Sequence, residues 1–231
     1  ESKEEGMIMD WSPILISMRT AGLSIVFTFF MGILAAWMVV RISHPLVKTI
    51  LDGIFTIPLV LPPTVAGFFL LYVFGVKRPV GRFFLEYFSV KIAFSWGATV
   101  LAAVVMSFPL MYRSARGAFE QVDDTLVQAA RTLGMGEWTI FRKVLLANAV
   151  PGVVSGGVLA FARGLGEFGA TAMIAGNIAG KTRTLPMAVY SEVAAGNMEA
   201  AYSYVAIIVV IAFLSVFLMN GTMWYSQKKS R

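Results

Sequence analysis

The sequence predicts an all-α fold, a polytopic membrane helical bundle with about five transmembrane helices in a single domain covering 1–231. Three observations predict it. Hydrophobic residues make up 58% of the chain and charged residues only 14%, whereas soluble domains carry about 25% charged residues. The apolar residues gather into five runs near the ~20 residues that a span requires. One long polar, charged stretch, QAARTLGMGEWTIFRKVLLANAVPG at 128–152, lies between two of those runs. A hydrophobic protein that interrupts itself with a short amphipathic helix, a glycine turn and a second basic helix offers a docking surface to a soluble partner.

The first run covers 14–40, with Arg19 near its outer end. The second covers 54–74 and contains Pro58, Pro62 and Pro63, which remove backbone donors and bend or break a helix. The third covers 93–111. Pro109 kinks its inner end, and Arg113 and Arg116 beyond it are placed to anchor at headgroups. The fourth covers 150–174 and the fifth 201–223. The second and fourth are rich in Gly and Pro, which implies kinked or closely packed helices. Broken backbone at membrane depth is tolerated only where protein or a water-filled cavity surrounds it, which favours a transport pathway over a simple anchor. The loop 77–91 carries FFLEYF, too short for a span and suited to the interface. Residues 177–200 are too polar to cross lipid, and 185–195 are expected to form a short helix at the outer interface. There is no internal repeat and no low-complexity tract.

Composition removes several function classes. The chain has no Cys and one His, so disulfides, thiol chemistry and His-based metal clusters are excluded. His44, beside Pro45, reads as a loop residue. A membrane-embedded enzyme would need a nucleophile with a base, or metal-binding carboxylates and histidines at one depth, and the spans hold few acids. No Gly-x-x-x-x-Gly-Lys-Ser/Thr loop is present to cradle phosphates. No catalytic residue, metal ligand or cofactor site is therefore assigned. The pI of about 9.7 does not imply nucleic acid, because the basic residues flank apolar runs, where positive charge sets topology. The first apolar run is too long for a cleavable signal peptide and lacks a small-residue cleavage site.

Within the polar stretch, Asp123 or Asp124 can cap a helix through Leu126, Ala129, Ala130 and Leu133, which share a face. Small residues at Ala129 and Ala130 let a partner approach closely. Gly134 supplies a turn suited to positive φ. Trp138 and Phe141 offer rigid aromatic anchors of the kind enriched at binding hot spots. In the fourth run, ARGLGEFGA at 162–170 puts Arg163 and Glu167 four residues apart, on one helix face. Ionisable residues inside a membrane are expensive and by default functional. Two readings stand side by side. The pair lines a pathway or gate region together with Gly166 and Phe168, or it is a structural ion pair that sets helix register.

The polar stretch resembles the EAA loop of ABC-importer permeases. There Glu-Ala-Ala, three residues, Gly, nine residues and Ile-x-Leu-Pro mark the helix that fits the ATPase. Gln128, Ala129 and Ala130 hold the triplet, Gly134 the glycine, and Val144 and Leu146 the Ile and Leu. Gln128 replaces the glutamate and Ala147 the proline, with Pro151 four residues later. The likeness extends through PLVLPPTVAG (58–67), AFSW (93–96), MSFPLM (106–111), AFARGLGEFGAT (160–171) and TRTLP (182–186). In this order they are similar to the permease subunit of a molybdate ABC importer, over nearly the whole chain. GEFGA and LPPTVAG are shared with permeases for sulfate, thiosulfate or tungstate.

The resemblance implies a type I importer permease fold, with the coupling loop at about 120–147. Gln128, Ala129, Ala130, Leu133, Gly134, Trp138 and Phe141 would meet the ATPase. It also implies a second copy of the chain enclosing one path, two cytoplasmic ABC ATPase subunits and an extracytoplasmic oxyanion-binding protein. Placing residues 113–149 in the cytoplasm puts the N-terminus outside and the C-terminus inside. Ten Lys and Arg then fall in inside loops and seven outside, a thin margin in the direction of the positive-inside rule. The outer loops hold Lys77, Arg78, Arg82, Lys91, Lys181 and Arg183 against Glu86, Glu192 and Glu199. That excess suits either the acidic rim of a binding protein or headgroup anchoring. A stand-alone channel or secondary transporter would not need the docking loop.

Overall fold

The computed structural model describes residues 10–229, with side chains to Leu218. The terminal charges Glu1, Lys3, Glu4, Glu5 and Arg231, and the side chains of Lys228 and Lys229, lie outside the described residues. All regular structure among the described residues is helical. Four stretches are long and apolar enough to cross a membrane: Ser12–Val40 (α1), Trp96–Glu120 (α5), Glu137–Leu165 and Met198–Leu218. The bent pair Pro45–Val60 (α2) and Pro63–Phe74 (α3) makes a fifth when its two helices are taken together as one broken span.

The bent pair departs most from the expected span at 54–74. α2 already begins at Pro45, and its axis turns by 110° into α3. The cause is local. A residue before proline is pushed out of the helical region. Leu61 (ψ 140°) and Pro62 (ψ 134°), each followed by a proline, are both extended. Pro63 then starts α3 at its first position, where a missing N–H costs nothing. Pro58 is accommodated inside α2 and Pro109 inside α5. α5 runs nine residues past the expected end at 111, to Glu120. Its start is capped by Ser95, whose hydroxyl accepts from the Ala98 N–H at 3.4 Å.

α1, α5 and Leu146–Leu165 (α8) form the centre. Ile33, Val39, Met111, Tyr112, Phe119 and Val153 are buried together there. Two hydroxyl rungs join α1 to α5: Thr20 with Thr99 at 2.9 Å and Thr28 with Ser107 at 3.0 Å. The rungs are eight residues apart on both helices, so they lie on one seam. Interhelical hydroxyl bonds of this kind bind helices together where lipid gives no hydrophobic drive. At one end of α5, Arg116 pairs with Asp52 of α2 and with Glu120 at 3.0 Å, and Lys48 reaches Glu120 at 3.0 Å. Arg116 is thus held within the protein, not free at headgroups as its position past the third run suggested.

Pro79–Phe88 (α4) is the FFLEYF segment, a short helix with Phe83, Tyr87 and Phe88 about half exposed or more. Leu185–Ala194 (α10) matches the short helix expected at 185–195. It is pinned to α1 by the Leu185 N–H, which donates to Ser17 at 2.7 Å. Met198–Lys229 (α11) packs on α10 through Tyr204 and turns Val209, Phe213 and Phe217 outward.

Candidate coupling segment and buried ion pair

The polar stretch folds as Asp124–Thr132 (α6), Glu137–Ile140 (α7) and a π turn at Phe141–Leu145 that leads into α8. Asp123 caps α6, its carboxylate accepting from the Thr125 N–H at 2.8 Å. That bond holds its carboxyl below the usual carboxylate range. The helix ends on Gly134, at φ +74°. The Met135 N–H returns to the Ala130 carbonyl at 3.1 Å, and the Gly134 N–H to that of Arg131 at 2.9 Å. This pair of bonds is a Schellman cap, which favours glycine at the left-handed residue.

Leu126, Gln128, Ala129 and Leu133 are exposed, Leu133 at 77%. Trp138 is 57% exposed. The expected contact surface is not all open, however. Ala130 and Phe141 are buried in this chain, and Phe141 packs on Trp37 at 4.7 Å and Trp138 at 5.3 Å. These two residues seat the segment, and the residues around them remain open. Glu137 ties it down as well, accepting from Arg131 at 2.9 Å and pairing with Arg41 at the end of α1 at 3.2 Å. Hydrogen bonding to Glu137 raises the Arg131 guanidinium above its ordinary value. The π turn lies directly between α6 and α7 on one side and the long apolar helix α8 on the other, and such turns are frequent at functional sites.

The second candidate site is where the expected fourth span, 150–174, breaks. α8 stops at Leu165, with Gly166 as its cap, and a new helix, Gly169–Ile174 (α9), starts after Phe168. Arg163 donates to Glu167 at 2.6 Å, so the pair predicted from spacing forms. Glu167 is only 2% exposed, while the Arg163 side chain is 28% exposed. The other Glu167 oxygen accepts from the Ala170 N–H at 2.7 Å, which opens α9. One carboxylate therefore closes α8 to α9. Gly166 is exposed, and the Phe168 ring lies 5.4 Å from Tyr190 of α10.

Sequence reasoning missed the partner of this region. The 58–67 and 160–171 runs, read separately, pack on each other as α3 and α9. A Cβ on Gly67 would lie 2.6 Å from the Ala170 Cα, and one on Gly169 would lie 2.8 Å from the Pro63 Cβ. The only signal in the sequence was the presence of small residues in both runs. Because the Gly67 contact is with backbone, Gly67→Leu is expected to force α3 and α9 apart. A destabilisation of about 1–3 kcal/mol is typical for overpacking, with a smaller effect from Gly67→Ala. Thermal unfolding of the purified protein in nanodiscs measures it; an unchanged melting temperature would show that the two helices do not pack this way.

A family model described as "binding-protein-dependent transport system inner membrane component" matches residues 28–229. The chain belongs to this family. It is thus a multi-pass inner-membrane permease of an ABC importer, working with an ATPase and a binding protein, and is not itself an enzyme. The permease is 43% identical over 222 residues to the molybdenum transport system permease protein ModB of Escherichia coli (strain K12), covering 96% of each chain. It is 41% identical to a putative molybdenum transport system permease protein of Bacillus subtilis (strain 168), covering 91% of this chain and 92% of that one. It is 32% identical to the sulfate transport system permease protein CysT of Salmonella typhimurium, covering 89% of this chain and 73% of that one. The permease also shares the fold of the inward-facing MetNI methionine ABC transporter. The TM-score is 0.73 at 18% identity, over 97% of this chain and 99% of that one.

Proposed function

We propose that this permease forms the translocation path of an ATP-driven molybdate importer. Two copies enclose the path, with the N-terminus outside and the C-terminus in the cytoplasm. The observation that carries the substrate is the 43% identity, spread over 96% of both chains, to a molybdenum transport permease. Sulfate is the second reading, favoured by the 32% identity to a sulfate permease. Residues 120–147 couple to the ATPase through the exposed faces of Gln128, Ala129, Leu133, Gly134 and Trp138, with Ala130 and Phe141 holding the segment in place. ATP-driven closure of the ATPases moves this segment, and the membrane helices pass between inward- and outward-open states. Arg163, Glu167, Gly166 and Phe168 lie at the break where the path is gated.

The test is ATP hydrolysis by the assembled complex in nanodiscs. Binding protein loaded with molybdate is expected to stimulate it more than binding protein loaded with sulfate. Equal stimulation by sulfate would favour the second reading, and no stimulation by any oxyanion would overturn the assignment.

A further inference from the structure

A cavity of about 700 Å³ opens between α5, the start of α6 and the first turns of α8. Arg113 lines it. Neighbouring cations are engaged: Arg41 and Arg131 with Glu137, Lys48 with Glu120, Arg116 with Asp52 and Glu120. Arg113 makes no contact ion pair or hydrogen bond among the described residues, and its charge acts only through space, on Asp52. The single acid in the lining, Asp123, accepts from the Thr125 N–H and stays a carboxylate, so Arg113 and the neutral donors must outweigh its charge at their own end of the cavity. Ser114 and Gln121 also line the cavity and make no side-chain hydrogen bond among the described residues. Asn148 uses one amide hydrogen on the Val144 carbonyl at 2.7 Å and keeps the second. The lining thus presents one unpaired guanidinium and several uncommitted donors. That chemistry suits an oxyanion, whose oxygens only accept. A water molecule's share of liquid volume is about 30 Å³, so the space admits a tetrahedral dianion with much of its hydration.

The cavity also lies at one end of a continuous face of α8. Asn148, Pro151, Ser155, Ala162 and Gly166 recur at intervals of three, four and seven residues, which places them on one side of the helix. At the far end Gly166 lines a second cavity of about 310 Å³ with Pro186, Val189 and Val205. About 17 Å of helix separates Ser155 from Gly166, and Leu159 between them is 40% exposed.

We propose that the larger cavity is a release-side oxyanion site, with Arg113 as its cation and Ser114, Gln121 and Asn148 as donors. A transported dianion pauses there before entering the cytoplasm. This rests on the orientation and oxyanion substrate proposed above. Being open to solvent, the site binds weakly, which a point of release requires.

The chain has no Cys, so a reporter thiol can be placed without background. Gly117 lines the cavity, and a Cβ added there meets nothing within 4 Å. Gly117→Cys in the assembled complex is labelled with N-ethylmaleimide, a neutral reagent, in molybdate, sulfate or perchlorate at equal ionic strength. Either dianion is expected to slow labelling, about fivefold at four times its Kd by mass action, and perchlorate is not. Arg113→Gln in the same background is expected to slow labelling somewhat in the absence of anion, since a nearby guanidinium favours the reactive thiolate, and to abolish the further slowing by either dianion. Should that variant fail to assemble, Ser114→Ala and Asn148→Ala must each weaken protection.

Protection that survives the loss of Arg113, or in its place the loss of both donors, overturns the proposal. So does equal protection by perchlorate, or none by any dianion. Uptake into proteoliposomes by Gly117→Cys is followed in parallel. Import without protection refutes the site alone, whereas a complex that hydrolyses ATP yet imports no dianion refutes the functional reading.

Discussion

Gly134→Asp is expected to insert and accumulate like the parent chain and to lose ATP-driven uptake. The physical basis has two parts. Gly134 sits at φ +74°, where a residue with a Cβ pays about 1–2 kcal/mol, Asp and Asn least among them. A carboxylate at the C-terminal end of α6 also opposes the helix dipole, by about 0.3–1 kcal/mol. These costs loosen the end of a nine-residue helix and leave the membrane bundle, held by the contacts of α1, α5 and α8, intact. A Cβ at Gly134 meets nothing within 4 Å in this chain. The cost within this chain is therefore backbone strain and charge, not a clash at the Cβ. Gly134→Asn, equal in shape and uncharged, separates strain and bulk from charge. Uptake in proteoliposomes at matched abundance, with ATPase co-purification, is the measurement. Wild-type uptake by Gly134→Asp would remove this segment from the coupling role.

The second large effect is expected at Arg163 and Glu167. Removing one member of a buried ion pair strands the other, at about 3–5 kcal/mol. The low end applies here, because the Arg163 side chain is 28% exposed and water can reach it. Loss of Arg163 strands a carboxylate that is 2% exposed. Loss of Glu167 also leaves the Ala170 N–H without its acceptor. Glu167→Gln keeps an acceptor for that N–H and is expected to be milder than Glu167→Ala. The double variant Arg163→Ala with Glu167→Ala should cost less than the two single costs added. Unfolding of all four proteins in nanodiscs gives the coupling energy directly. Strict additivity would show that the ion pair contributes nothing. A large coupling with unimpaired uptake would leave the pair a structural device that sets the α8–α9 junction. Uptake lost in a variant of normal stability would make it part of the gate.

Much of this fold was legible in the sequence because its causes are local. Span length follows from bilayer thickness, so the apolar runs located α1, α5, α8 and α11. A cap at Asp123 or Asp124, of which the fold uses Asp123, and Gly134 as a left-handed turn follow from backbone stereochemistry within a few residues. The pairing of Arg163 with Glu167 was legible from their four-residue spacing, although α8 ends at Leu165 and Glu167 reaches Arg163 from beyond its cap. Local prolines also foretold a break near Pro62, though not its angle.

Tertiary structure alone decided what depended on residues far apart in the chain. Spacing placed Ala130 on an accessible face and aromatic character suggested Phe141 as an anchor, but the fold buries both, Phe141 against Trp37. Arg116 reads as a headgroup anchor until Asp52 of α2 is brought to it. The small residues of the 58–67 and 160–171 runs show only that something packs closely; the fold shows that they pack on each other. The cavity beside Arg113 has no sequence signature at all, since its lining comes from three helices. Local stereochemistry acts over one or two turns and can be read along the chain. Burial and pairing are properties of surfaces, and they exist only once the helices have been placed against one another.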